Sequence, residues 1–261
     1  MTASVFPALA TALAEADPER KVGLTERLAA DWRAGALALD ETPATLVWGC
    51  PPRPELVPPG RVKQRNPATA EGRASLLHAI VHIEFSAINL ALDHAARFRE
   101  QPREYVDDWI GVAAEEACHF RLLRDRLCAL GYDYGDFPAH AGLREMAEKT
   151  AHDVLDRMAL VPRLLEARGL DATPPIQAKL EKAGDAASVR LLDIILHDEI
   201  GHVGLGDRWF RRLCAARGLA PEATYRRLLD QYRAPRPQTP MNVAARLAAG
   251  FTAEELAALA A

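Results

Sequence analysis

Cysteine is scarce in this chain. Its four copies, Cys50, Cys118, Cys128 and Cys214, are scattered and form no CxxC pair, which speaks against a disulfide framework or a four-thiolate zinc site and points to free thiols in a reducing compartment. An excess of positive charge is also missing: 32 basic side chains against 36 acidic ones leave a net charge of −4. Without a global positive field, nonspecific binding to nucleic acid or to a membrane surface has no driving force, and a nucleic-acid substrate would need a local patch. No run of about 18 residues is free of charged or strongly polar side chains, and the apolar N-terminal stretch follows no basic residue. The expectation is a soluble, untargeted, cytoplasmic protein without a membrane partner. Glycine and proline are few, at 16 and 18, beside 49% hydrophobic residues in 261; disorder of the whole chain is excluded, and one large core is affordable in apolar material.

The breakers divide the chain into three regions. Residues 1–69 hold two helix-like stretches, Ser4–Ala16 and Val22–Leu39, and then a strap in which Pro43, Pro51, Pro52, Pro54, Pro58, Pro59 and Pro67 remove backbone donors. Residues 70–218 read as four long helices: about 71–99, about 102–131, a third from Leu143 that is disturbed at Pro162 and interrupted at Gly169–Pro175, and a fourth over about 186–216. Residues 219–261 form a tail with short helices near Glu222–Arg233 and Thr252–Ala260, separated by APRPQTP. Short turns within pairs and a longer connection between them predict an all-α fold, a four-helix bundle with a crossover connection, carrying terminal helical extensions and the Pro-rich strap.

Polar residues stand where the helical period demands apolar ones. Glu84 lies on the face of Leu77, Ile80, Ile88 and Ala91; Glu116 and His119 share a face with Trp109, Val112, Leu123 and Leu127; Glu199 and His202 share one with Leu192, Ile195 and Trp209. An isolated buried carboxylate costs several kcal/mol or protonates, so three such intrusions need a common partner, and a metal ion supplies one. Residues three apart on a helix differ by about 60° in projection, so each Glu-x-x-His presents an oxygen and a nitrogen to one point. The motifs Glu-Glu-Ala-Cys-His (115–119) and Asp-Glu-Ile-Gly-His (198–202) match as acid-acid-x-x-His. Glu84 precedes Glu116 by 32 residues, and counting back 33 from Glu199 reaches Glu166, which becomes the expected third-helix ligand, with Asp153 as its competitor. Around Asp153, Lys149, Asp156 and Arg157 suggest a solvated face. His197 and His202 are five apart and miss the spacing of a zinc protease. His78 and His82 read as packing or hydrogen-bonding residues, Glu115 and Asp198 as orienting groups or surface ion pairs, Cys118 as core. A basic set, Arg208, Arg211, Arg212, Arg217, Arg226 and Arg227, reads as a solvated helix face sooner than as an anion site.

The pattern Glu, Glu-x-x-His, Glu, Glu-x-x-His resembles the ferritin-like di-iron or di-manganese carboxylate superfamily over about 71–217. More narrowly, GRASLLHAIVHIEFSAINLALDHA (72–95), DRMALVPRLLEARGLDATPP (156–175) and RPELVPPGRV (53–62) are similar to a bacterial family of ferritin-like proteins of unknown function. A more distant likeness, at fold level, is to the di-iron hydroxylases of a modified tRNA adenosine. The resemblance implies two iron ions, with manganese as the alternative, held by Glu84, Glu116, His119, Glu166, Glu199 and His202. Hard oxygen ligands with two imidazoles suit metals that react with O2 or peroxide. The expected function is a di-iron oxidase or monooxygenase acting on a small molecule or a modified tRNA, with an electron donor and a homodimer among the expected partners. The alternatives are peroxide removal, an iron-handling ferroxidase, and a structural metal-binding protein.

Overall fold

The computed structural model describes residues 2–237 and 240–260, and among these described residues the protein is all-α apart from two short paired strands. By internal packing the chain separates into two compact units, residues 1–144 and 145–261.

In the first unit, α1 (Val5–Ala14) and α2 (Pro18–Arg33) precede the long helices α3 (Ala70–Arg97) and α4 (Arg103–Ala129). Thr69 caps α3 by accepting the Gly72 N–H at 3.0 Å, and Gly72 is obligatory because a Cβ there would lie 1.8 Å from the Asn66 carbonyl oxygen. Pro102 directly precedes α4, so the 98–102 turn folds α3 back along α4. Their shared core includes Leu77, Val81, Ile88, Trp109, Phe120 and Leu123, all buried. The apolar stretch of α3 is long enough to cross a membrane, but 61% of it is buried inside the protein, as a core helix would be. Residues α1 and α2 contribute dock on this hairpin. Lys21 is fully buried and its Nζ donates to the carbonyls of Ala12 and Leu13, at 2.9 and 2.8 Å, and to Asn89 Oδ1 at 2.8 Å. It thereby satisfies orphan carbonyls at the end of α1 and ties that end to α3. A two-residue parallel pair joins β1 (Ala3–Ser4) to β2 (Leu37–Ala38). Over the expected strap, the described residues show one 3-10 turn at Pro59–Arg61 and a single bridge, Leu56 to Ala139.

The second unit begins within α5 (Gly142–Lys149) and contains α6 (Val154–Leu160), a π-helical turn (Val161–Glu166), α7 (Ala167–Lys182) and α8 (Ala186–Ala216). Pro162 opens the helix, as a residue without an N–H can, and the opening is one π turn rather than a simple kink. Gly206 of α8 lets the turn approach: a Cβ there would lie 2.3 Å from Pro162 Cβ. The expected interruption at 169–175 is corrected, because α7 runs through Pro174 and Pro175 to Lys182. Pro174 cannot donate to the Leu170 carbonyl, and the side chain of Asn242 donates to that oxygen instead, at 3.2 Å. A distant residue therefore repairs what proline removes. The tail forms α9 (Pro221–Gln231), α10 (Val243–Ala248) and α11 (Ala253–Ala260). The helix α10 was not expected, and Gln238 and Thr239 of the APRPQTP segment lie outside the described residues.

Candidate metal centre

Within the first unit, α3 and α4 bring Glu84, Glu116 and His119 together. The three are 3%, 1% and 1% exposed. His119 Nδ1 stands 3.5 Å from Glu84 Oε2 and 3.5 Å from Glu116 Oε2. One ligand atom from each lies within 4.8 Å of the others, so this group can hold a metal ion. The arrangement follows from the sequence: Glu116 and His119 are one helical turn apart, and the buried residues Val81, Phe85, Ile88, Val112 and Phe120 hold both helices at this depth. Burial disfavours an imidazolium, yet Glu116 and then Glu84 outweigh it and push His119 up to about 11. In electrostatic terms, the two buried carboxylates call for a cation between them. A proton on His119 answers that need, and a divalent ion with a neutral imidazole answers it with more charge.

The second unit carries the matching pair. On α8, His202 Nδ1 lies 3.5 Å from Glu199 Oε1, with His202 buried and Glu199 half-buried. Glu166 is the last residue of the π turn; it is half-buried, with its Oε2 shielded from solvent. Asp153 is engaged elsewhere. It caps α6 by accepting the Leu155 N–H at 2.7 Å and pairs with Arg217 at 2.7 Å.

The model of a family described as a protein of unknown function (DUF455) matches residues 14–257. The chain belongs to the DUF455 family. An uncharacterized protein of Haemophilus influenzae is 47% identical over 259 residues, covering 94% of this chain and 90% of the relative. No solved structure matches the chain.

Several other residues of this DUF455 protein take structural positions. Around Asp153 the expected solvated face is only partly found: Arg157 is fully buried and donates to Thr150 Oγ1 at 2.8 Å and to the Ala147 carbonyl. Asp156 is buried and accepts from the Tyr232 hydroxyl. The basic set around α8 is largely committed, with Arg211 on Asp207 and Glu255, Arg217 on Asp153, and Arg227 on Gln231. Glu115 faces solvent, and Cys118 is half-buried.

His78 and His82 are held by a loop residue, Tyr134, that no helical periodicity or motif marks. Tyr134 stacks on both rings. His82 Nε2 lies 3.1 Å from the His140 carbonyl and must donate to it, so Nδ1, at 2.9 Å, accepts from the Tyr134 hydroxyl. His78 Nε2 accepts the Gly135 N–H at 2.9 Å. Both rings are therefore neutral hydrogen-bonding groups. Burial pushes each down to about 4.

A histidine whose folded value lies below its unfolded one stabilises fully above the unfolded value, near 6.5, and that stability is lost as pH falls toward 4. For the fully buried His78 the loss between pH 7 and 5 is about 2 kcal/mol. Denaturant unfolding at the two pH values, comparing wild type with His78→Gln, is expected to show a stability gap that shrinks by that amount at the lower pH. A gap independent of pH would mean that His78 is not held neutral.

Proposed function

We propose that this protein is a metal-dependent oxidoreductase whose two Glu and Glu-x-x-His sets, Glu84 with Glu116 and His119, and Glu166 with Glu199 and His202, hold two iron ions, or manganese in their place. The reading is carried by the buried Glu84, Glu116 and His119 group, whose carboxylates share one imidazole at 3.5 Å. It is supported by the repeat of the same motif on α8, again with Glu and His at 3.5 Å. It draws further on the resemblance of both motifs to ferritin-like carboxylate proteins. When bound, such metals supply one-electron redox chemistry with O2 or peroxide, directed at oxidation or hydroxylation of an organic substrate.

The chain's own residues prepare that chemistry. Four carboxylates with two neutral imidazoles would match the charge of two divalent ions, and these oxygen and nitrogen donors suit iron or manganese. The apolar neighbours Val81, Phe85, Ile88, Val112 and Phe120 keep water from Glu84 and Glu116, which strengthens their hold on a cation. Elemental analysis of protein grown with ample iron should give close to two metals per chain; one tightly held zinc and no second site would overturn the reading.

The third-helix assignment has its own test. Glu166→Ala is expected to impair uptake of the second metal and to abolish the absorption change when the anaerobic Fe(II) protein is mixed with O2 or peroxide. Asp153→Ala should leave both nearly unchanged and cost about 1 kcal/mol through its lost helix cap. Equal metal loss in the two variants would remove Glu166 from the ligand set. A wild type that holds two irons and reacts with neither oxidant is a structural metal protein.

A further inference from the structure

The π turn that ends in Glu166 interrupts the regular backbone ladder at Pro162, so its shape has to be imposed by neighbours. Those neighbours come largely from the C-terminal tail. Arg163, inside the turn, is fully buried; its Nε donates to Asp207 Oδ1 at 2.6 Å and its Nη2 to Glu255 Oε1. Its guanidinium lies over the rings of Tyr225, Phe251 and Phe210, at 4.2, 4.6 and 5.1 Å from their centroids. Arg211 closes the network by donating to Asp207 Oδ2 and Glu255 Oε2, each at 2.7 Å. Gly250, at φ +98°, turns the chain between α10 and α11 so close to Asp207 that a Cβ would lie 2.9 Å from Oδ2.

On the other side of Glu166, Arg246 of α10 donates to the Ala167 carbonyl at 3.2 Å and grips Asp171 at 2.6 Å. Asn242 holds the Leu170 carbonyl that Pro174 leaves open. Apolar packing of Ala167, Leu170 and Val203 against Ala245, Ala249, Phe251 and Leu256 already docks the tail. The buried charges add a requirement for one geometry, since a guanidinium without water must have its carboxylates in place or lose several kcal/mol.

We propose that Arg163 is a positioning residue for Glu166, and that the C-terminal tail, through Glu255, Arg246 and Asn242, latches the π turn in the shape that presents Glu166 to metal. This rests on the reading of Glu166 as a ligand. The tail then governs occupation of one metal position without touching the metal, and a movement of the tail would release Glu166.

The test uses the full chain and Co(II) alone as probe, added anaerobically and followed by visible absorption and equilibrium dialysis. Glu255→Gln keeps the side-chain shape and removes the charge facing Arg163 and Arg211; Asn242→Ala frees the Leu170 carbonyl. Both are expected to retain the helical circular dichroism and to bind the first Co(II) like wild type. The second should bind about tenfold more weakly, as loss of a group that orients a ligand does. Amide exchange should quicken in 161–171 and stay unchanged in α3 and α4, and Glu255→Asp should recover part of the affinity. Wild-type Co(II) binding in both variants would overturn the latch while leaving the metal reading intact. A wild type that binds fewer than two Co(II) would overturn the metal reading, and the positioning role falls with it. Should Glu255→Gln fail to fold, the Asn242→Ala result decides.

Discussion

Glu116→Ala is expected to lose metal by roughly tenfold or more and to be destabilised by about 3 kcal/mol when prepared without metal. The carboxylate is 1% exposed, and one of its oxygens stands 3.5 Å from His119 Nδ1. Removing it takes away one of the carboxylates that favour a cation there, leaves Glu84 at 3.5 Å from His119 Nδ1, and empties buried volume in the core. Glu116→Gln separates these effects. It keeps the volume, so the metal-free protein should unfold within about 1 kcal/mol of wild type, while metal uptake falls as in the alanine variant. Plasma emission analysis of the purified proteins and denaturant unfolding would read the two quantities independently. If both variants retain a full metal complement, the group formed by Glu84, Glu116 and His119 is a buried hydrogen-bonding cluster and not a metal site.

The second large effect is steric. In Gly206→Ala the new methyl group would lie 2.3 Å from Pro162 Cβ and 2.6 Å from Pro162 Cγ. A proline ring cannot rotate away, so α8 and the π turn must separate. The cost is expected to be about 3 kcal/mol, at the upper end of that for overpacking a core. Gly204→Ala is the control on the same helix: its nearest neighbour would be the Ala249 carbonyl oxygen at 3.6 Å, an ordinary contact, and the better helix propensity of alanine should make it neutral or slightly stabilising. Thermal unfolding of the two variants decides the matter. A Gly206→Ala protein as stable as Gly204→Ala would show that the π turn does not rest on α8. Because the π turn ends in Glu166, the same variant should also weaken metal uptake at the second position under the proposed function.

Much of this site was legible without coordinates because helices translate spacing into direction. Glu116 and His119 three residues apart, and Glu84 amid Leu77, Ile80 and Ile88, could only point into a core once both segments were helical, and the observed 3.5 Å contacts of His119 follow from that. The ends of α3, α4 and α8 were similarly readable from Pro102, Gly184-Asp185 and Gly218, since breakers act locally. The third helix was not. Pro174 and Pro175 carry a local rule that ends a helix, and the rule was overruled by Asn242, more than 60 residues away, which supplies the missing donor to Leu170.

Arg157, Arg163 and Lys21 were likewise unreadable as core residues, because a single charged side chain signals exposure until its partners are known. Thr150, Asp207, Glu255 and the carbonyls of Ala12 and Leu13 are brought to them only by folding. The sequence by itself determined the all-α class, the inward direction of Glu84, Glu116, His119 and His202 and the positions of most helix ends, all of which depend on neighbours within a turn or two. Tertiary structure alone decided the shape of the π turn, the continuity of α7 and the burial of Lys21 and Arg163, since these depend on Glu255, Asn242, Asn89 and Asp207, which are remote along the chain and adjacent only in space.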